Sequence, residues 1–262
     1  QCLLTRPDMQ PELRAYIEIA AQPLVELDPT ETVARLHARF SSAVQRRLRP
    51  GPQEAFLSGG MDSRAVVAAL VDRGHALRTF CTAYPGSLDD LVSREVATRL
   101  RTEHLVRPRT PAERVRVAMD PFAQYAREHF PPSTPSSGPR RLWSGDGGSV
   151  TLGHVYLTRE TVDLAAGPLD RSVVMKLFPN LSRRPTRQVD EAQLQRWAEL
   201  AAEGALHELE SLRNTPPERR LFQFYMRNDQ ARHLYHHFDD IDLNRIELLT
   251  PFFDGEFVAL VS

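Results

Sequence analysis

The sequence predicts an α/β fold: a parallel, twisted sheet with helices on both faces, followed by a mainly helical C-terminal part. From residue 28 to 106, short apolar segments alternate with helical patterns, and a glycine-rich turn follows the first of these segments. Strand signals fade after residue 161, where long amphipathic patterns begin. We therefore expect a lead over residues 1–27, an α/β core over 28–160 and a mainly helical part over 161–262.

The first predicted helix begins after residue 28. Asp28, Pro29 and Glu31 supply an N-cap, a proline at the first helical position and an acid in the first turn. Apolar side chains then recur at helical spacing, at Val33, Leu36, Phe40, Val44 and Leu48. This spacing predicts a helix that packs on the sheet.

The rest of the core follows in order. The apolar run at 55–57 is typical of a buried strand in a parallel sheet, and a helix over 63–73 would end at Gly74. The remaining predicted elements are a strand at 77–82, a helix at 89–100, a strand at 104–106, a Pro/Ser-rich loop at 131–139, a strand before the glycine-rich turn that holds Asp146, and helices over 190–212 and 218–236. The apolar positions of the helix at 190–212 are Leu194, Trp197, Leu200, Ala201 and Leu209. Ligands are expected at the C-terminal ends of the parallel strands.

The segment Ser58–Ser63, with the sequence SGGMDS, has the chemistry of a polyphosphate-binding loop. Gly59 and Gly60 would allow close approach to an anion and positive φ angles, while Ser58 and Ser63 add hydroxyl donors beside free helix amides. Asp62 would repel a bare phosphate, so its presence indicates that Mg²⁺ lies between them. The loop lacks the lysine of a Walker A motif. A turn that only caps a helix is the alternative.

These residues resemble a known family. SGGMDS is similar to the pyrophosphate loop of the N-type ATP pyrophosphatases, and the chain looks most like the synthetase domain of class B asparagine synthetases. Four further segments resemble that domain in the same order: Phe80 with 85–100, Ser144-Gly145-Asp146-Gly147-Gly148, Asp229-Gln230-Ala231-Arg232, and Pro251-Phe252-Phe253-Asp254. Ordered matches of this kind are more specific than one loop.

The resemblance implies an adenine nucleotide α-hydrolase-like fold that uses ATP and Mg²⁺. It implies catalytic roles for Asp62, Asp146 and Arg232, and metal binding by Asp62 and Asp146. The positions implied to contact ATP are Leu57, Ser58, Gly59, Gly60, Asp62, Ser63, Thr82, Ser144 and Gly145. Backbone groups of Leu57 and Thr82 would contact the adenine. Sheet packing is the alternative role for both residues, and Asp229 is expected either to pair with Arg232 or to take part in catalysis.

The sequence departs from the family pattern S-G-E-G-A-D-E at two acids. Asp146 is shorter than the family's first glutamate, and Ser149 stands where the family has a metal-binding acid. The family also carries a lysine beyond its P-F-L-D element, whereas this sequence ends at Ser262 and its only lysine is Lys176. We expect a truncation before that lysine region, or a relative that binds ATP without efficient turnover.

Composition excludes several classes of protein. The formal net charge of −1 argues against a nucleic-acid binder, and no apolar run is long enough for a membrane span. Cys2 and Cys81 form no disulfide or metal spacing, which favours a cytoplasmic protein. The histidines His233, His236 and His237 lack a third convincing ligand or an accompanying glutamate base, so zinc is not expected there.

The resemblance favours an ATP-dependent carbon–nitrogen ligase that forms AMP. Its partners would be a small-molecule or peptide carboxylate and an amine or ammonia, the latter supplied by a separate N-terminal domain or subunit or from solution. The alternatives are an intramolecular amide-closing enzyme of the lasso-peptide cyclase or β-lactam synthetase type, a non-catalytic nucleotide-binding scaffold, and a tRNA-modifying pyrophosphatase. The last normally shows a basic RNA-binding face or paired cysteines, and the sequence shows neither.

Overall fold

The computed structural model describes residues 2–4, 10, 12–14, 27–109, 139–179, 189–231, 234 and 246–262. The described residues form two compact units, one within Val25–Gly153 and Arg232–Val261, the other within Gln1–Leu24 and His154–Ala231 together with Ser262. The second unit contains a short antiparallel pair, β1 (Cys2–Leu4) and β2 (Glu12–Arg14).

A parallel sheet organises the first unit. Among the described residues it has five strands: β3 (Gln53–Phe56), β4 (Leu77–Ala83), β5 (Glu103–Pro108), β6 (Arg140–Trp143) and β7 (Ile246–Leu249). Their order is β5-β4-β3-β6-β7, and every neighbouring pair is parallel. The predicted α/β class with a parallel sheet is therefore confirmed.

Helices cover one face of this sheet. They are α1 (Pro29–Arg47), α2 (Met61–Asp72), α3 (Leu88–Leu100) and α9 (Gly255–Val261). The carboxylate of Asp28 caps α1 by accepting from the N–H groups of Thr30 and Glu31 at 2.8 and 3.0 Å, as its sequence predicts. Between helices and sheet lies one apolar core: Val44, Ala55, Leu57, Val66, Val67, Leu70, Leu77, Ala97, Trp143, Leu249, Phe252 and Phe257.

The opposite face of the sheet carries a second apolar cluster. It consists of Phe80, Leu142 and Ile246, with Phe56, Leu105 and Leu248 against them. Because successive side chains of a strand point to opposite faces, Leu142 joins this cluster while its neighbour Trp143 joins the main core. Both faces are therefore apolar, as expected for a parallel sheet.

The second unit is helical. Its described helices are α5 (Arg159–Ala166), α6 (Arg171–Leu177), α7 (Glu191–Ser211) and α8 (Pro217–Tyr225), whereas the short α4 (Gly148–Thr151) belongs to the sheet unit. A π-helical turn, Met226–Gln230, continues α8. The core consists of Ala165, Val174, Leu177, Ala202, Ala205, Leu209, Leu221 and Phe224. No helix among the described residues is long and apolar enough to cross a membrane.

Two features of the fold differ from the sequence prediction. β7 is a strand, although no strand was predicted after residue 161. The predicted apolar face of α7 includes Trp197, Leu200 and Ala201, but all three are exposed, Trp197 by 50% and Leu200 by 58%. The buried side chains of that helix are Ala198, Ala202, Ala205 and Leu209, and the last three belong to the core of the helical unit.

Candidate functional site

The candidate site lies where the strand order changes direction. β4 and β5 extend the sheet on one side of β3, whereas β6, the next strand along the chain, adds on the other side. β3 and β6 are parallel neighbours with Ala55 opposite Trp143, so the loops that follow them emerge side by side. In open parallel sheets this position forms a ligand-binding crevice.

The loop after β3 is closed by its two serines. The hydroxyl of Ser63 accepts from the N–H of Ser58 at 3.1 Å and lies 3.1 Å from the Ser58 hydroxyl. The Ser58 hydroxyl also accepts from the N–H of Gly60 at 3.1 Å. α2 begins directly after this loop, and the first N–H groups of a helix have no partner within it. The start of α2 therefore presents backbone donors at the edge of the sheet.

Of the two reasons predicted for the glycines of this loop, the structure contradicts the positive φ angles. Neither adopts a left-handed φ; Gly60 has a φ of −72°. A Cβ atom on Gly59 would lie 3.0 Å from the carbonyl oxygen of Leu88 and 3.1 Å from Oδ1 of Asp89. Gly59 thus permits a close approach by the start of α3, and its N–H donates to Asp89 Oδ1 at 2.8 Å.

The loop after β6 packs directly on the start of α2. A Cβ atom on Gly145 would lie 2.5 Å from the backbone nitrogen of Ser63, and one on Gly148 would lie 2.4 Å from Cγ of Asp62. Gly147 has a φ of +91°, and a Cβ there would lie 2.6 Å from the ring of Phe253. Since only glycine tolerates these contacts, the two loops form one surface.

Asp62 and Asp146 come together on this surface. Burial raises the pKa of the Asp62 carboxyl and the negative charge of Asp146 raises it further, while a hydrogen bond from the N–H of Ser149 acts in the opposite direction. The N–H of Asp146 donates to the hydroxyl of Ser144 at 3.2 Å. The position where the family has a second acid thus contributes a backbone donor to Asp62.

The other predicted ATP-contacting residues lie at the same sheet edge or in the strands beneath it. Leu57 is fully buried, and its N–H donates to the carbonyl of Phe80 at 2.8 Å, so this N–H belongs to the sheet. Thr82 lies near the end of β4, opposite Arg107 of β5. Ser144 follows β6 directly and donates its N–H to Leu249 of β7 at 2.9 Å.

Some predicted features lie outside the described residues. These are Arg232, the histidines His233, His236 and His237, and the loop residues 131–138. Within the described part of the chain, no group of three or more His, Cys, Asp or Glu side chains could hold a metal ion. Asp229 is described and lies in the π-helical turn, where its Oδ2 accepts from the side chain of Gln230 at 2.7 Å.

Sequence reasoning missed three contacts that shape the site. They are Asp89 on Gly59, the Ser149 N–H on Asp62, and the Phe253 ring against Gly147. Their partners are near the site only after folding, so no local pattern marks them. The sequence offers one signal for these contacts, the adjacent glycines Gly147 and Gly148, because two glycines in a turn indicate that other groups lie too close for side chains.

Comparison with known proteins gives one family match. The model of the family described as asparagine synthase matches residues 35–262, and no curated protein matches the chain. Among solved structures, an NMN synthetase from Francisella tularensis is similar with 16% identity and a TM-score of 0.34, covering 79% of this chain and 97% of its own. An NH3-dependent NAD synthetase from Campylobacter jejuni gives 12% identity and a TM-score of 0.30 at the same coverage.

Proposed function

Because the chain belongs to the asparagine synthase family of ATP-utilising, amide-forming ligases, we propose that it adenylates a substrate carboxylate and transfers the acyl group to an amine or ammonia. One observation carries this proposal: the glycine-rich turn after β6 packs directly on the loop 58–63, with Gly148 against the Asp62 side chain, so that Asp146 is close enough for its charge to act on Asp62. A loop that only capped a helix would not need this second loop fitted against it.

The chemistry has two steps. A carboxylate oxygen attacks the α-phosphorus of ATP, the bond to the β-phosphate breaks, and pyrophosphate leaves. The amine nitrogen then attacks the carbonyl carbon of the acyl-adenylate, the bond to AMP breaks, and the nitrogen loses a proton to give the amide. Because both steps develop charge on phosphate oxygens, catalysis depends on donors held in place beforehand.

The residues of the two loops supply those donors. The hydroxyls of Ser58 and Ser63 and the first N–H groups of α2 would hold the departing pyrophosphate. Asp62 and Asp146 fit a Mg²⁺ ion, since two neighbouring carboxylates repel each other and Mg²⁺ is usually held by one or two carboxylates together with phosphate oxygens and water. When bound, the ion would neutralise charge on the leaving group. We assign Arg232 to binding a charged substrate.

The test is the identity of the nucleotide products. Wild-type protein incubated with ATP, Mg²⁺, candidate acids and ammonia or amines should release AMP and pyrophosphate in equal amounts. Asp62→Asn should lower that rate by roughly a hundredfold or more while leaving the melting temperature nearly unchanged. Release of ADP and phosphate, or an undiminished rate in Asp62→Asn, would overturn the assignment. Nucleotide binding without any turnover would favour the scaffold instead.

Intramolecular amide closure is the second candidate. Two replacements favour it: Asp146 is shorter than the family's glutamate, and Ser149 offers a backbone N–H to Asp62 in place of an acid. Both changes alter the surroundings of the reacting carboxylate, so a substrate other than free aspartate is consistent with them. Substrates that carry both an amine and a carboxylate would cyclise with AMP release in the absence of any added amine.

A further inference from the structure

Asp89 lies outside the phosphate loop, residues 58–63, and forms a hydrogen bond with it. The N–H groups of Ser58 and Gly60 are bonded within the loop, to serine hydroxyls. The N–H of Gly59 instead donates to Oδ1 of Asp89, thirty residues further along the chain, at 2.8 Å. Gly59 lacks the Cβ that would press on Asp89 and the carbonyl of Leu88, so the contact is also closely packed.

Asp89 lies in the first turn of α3, and further contacts hold this turn in place. Beside it, Asp90 accepts from the N–H of Gly86 at 2.9 Å and from Nε of Arg94 at 2.6 Å. The thiol of Cys81, the fifth residue of the seven-residue strand β4, lies 3.8 Å from the carbonyl oxygen of Asp89. The carboxylate therefore belongs to an element whose position is set by the neighbouring strand.

We propose that Asp89 is a positioning residue for ATP: it fixes Gly59, and with it the conformation of residues 58–63, so that the first N–H groups of α2 face the phosphates. This inference rests on the proposed function. Asp89 acts on the loop and does not touch the nucleotide. A loop held in its binding conformation loses less conformational entropy when the ligand binds, so affinity depends on the contact.

Two other roles for Asp89 lead to different outcomes. As an acid in the first turn of α3 it would stabilise that helix through the dipole alone, and its loss would change stability without changing nucleotide affinity. As a metal ligand it would need its charge. A positioning role needs only an oxygen acceptor, which asparagine retains.

The experiment compares Asp89→Ala, Asp89→Asn and the control Glu95→Ala by calorimetric titration with MgATP. Glu95 lies on the same helix and pairs on the surface with Arg99, away from the loop. Because the N–H of Gly59 loses its acceptor, Asp89→Ala should weaken MgATP binding about tenfold or more. Asp89→Asn and Glu95→Ala should bind MgATP at least as tightly as the wild type.

Amide exchange of Gly59, followed by NMR without nucleotide, is the second measurement. Exchange should be about tenfold faster in Asp89→Ala than in wild type and unchanged in Glu95→Ala. If Asp89→Ala does not fold, Gly59→Ala tests the same contact from the other side, and the same loss of affinity is expected.

The inference is overturned if Asp89→Ala binds MgATP as tightly as the wild type, or if its Gly59 exchange is unchanged. It is also overturned if Asp89→Asn loses as much affinity as Asp89→Ala, which would indicate a metal ligand. Wild-type protein that does not bind MgATP would refute the proposed function. The exchange measurement would then decide by itself whether Asp89 fixes the loop.

Discussion

Gly148 touches Asp62 so closely that a Cβ atom there would lie 2.4 Å from Asp62 Cγ. An alanine at this position must therefore displace either the turn after β6 or the Asp62 carboxylate, to which we assign Mg²⁺ binding. By contrast, a Cβ on Gly204, in the middle of α7, would meet no atom within 4 Å. The chain thus offers two glycine-to-alanine changes with opposite consequences.

We expect Gly148→Ala to reduce AMP formation by roughly tenfold or more, because a misplaced reacting group is costly in rate. Gly204→Ala should leave activity unchanged and raise the free energy of unfolding by about 0.5–1 kcal/mol, since alanine is the better helix former. Steady-state rates and urea unfolding of both variants check this. Equal activity in the two variants would mean that the Gly148 contact is not needed for catalysis.

At the scale of single elements, α7 shows that two leucines of one helix can differ completely in burial. Leu200 and Leu209 lie on the same helix, but Leu200 is 58% exposed and Leu209 is fully buried. Leu209→Ala should lower the free energy of unfolding by about 2–5 kcal/mol, because it leaves a cavity. Leu200→Ala should stay within about 0.5 kcal/mol of wild type. Urea titrations of the two variants measure the difference. Similar losses of unfolding free energy would show that the buried face of α7 is wrongly assigned.

His104 joins three elements of the sheet unit. Its ring nitrogens lie 2.9 Å from the Thr79 hydroxyl on β4 and 3.1 Å from the Ser93 hydroxyl on α3. Burial lowers the pKa of His104 and the positive charge of Arg94 lowers it further, while the backbone of Thr79 and the charge of Asp90 act in the opposite direction. The folded protein therefore binds the proton less readily than the unfolded chain.

This lowered pKa predicts how stability depends on pH. The contribution of His104 is fully present above the unfolded value of about 6.5 and is lost as the pH falls below it towards the folded pKa. The urea midpoint should consequently drop between pH 7.5 and pH 5.5, and His104→Gln should flatten that drop. Parallel pH profiles for wild type and His104→Gln would show that His104 does not cause it.

On the scale of the whole molecule, the end of the described chain completes the sheet unit. β7 pairs with β6, and Asp254, just after it, accepts from Arg46 at 2.5 Å and from Arg47 at 2.7 Å at the end of α1. Although burial acts to raise the pKa of Asp254, the hydrogen bonds from the two arginines lower it overall. Residues separated by about two hundred positions thus hold one unit together.

Asp254→Asn should lower the free energy of unfolding by about 1–3 kcal/mol, because two arginines lose their charged acceptor. Glu256→Gln is the matched control. Its carboxylate pairs with Arg39 and Arg46, but it is half exposed, so a change of about 0–1 kcal/mol is expected. Thermal unfolding of both variants measures the two changes in stability. Equal losses of stability would contradict the conclusion that the buried Asp254 carboxylate contributes more than the half-exposed Glu256 carboxylate.

The sequence by itself determined the elements whose signals are local. The cap at Asp28, the buried strand before Ser58, the glycine-rich turn before α2 and the order of strands and helices up to residue 106 all depend on neighbouring residues, and the structure has these elements. The loop also marked the end of β3 as the candidate site, because glycines and hydroxyls before a helix are recognisable without any tertiary contact.

Only the tertiary structure decided which distant groups meet. β7 is a short apolar segment that becomes a strand because β6 supplies its partner, and α7 buries its alanines because its neighbours pack on that side. The same holds for Asp89 on Gly59 and for Asp146 beside Asp62, which join residues 30 and more than 80 positions apart. Local patterns cannot specify such pairs, because their contact depends on strand order and on how closely two backbones can approach.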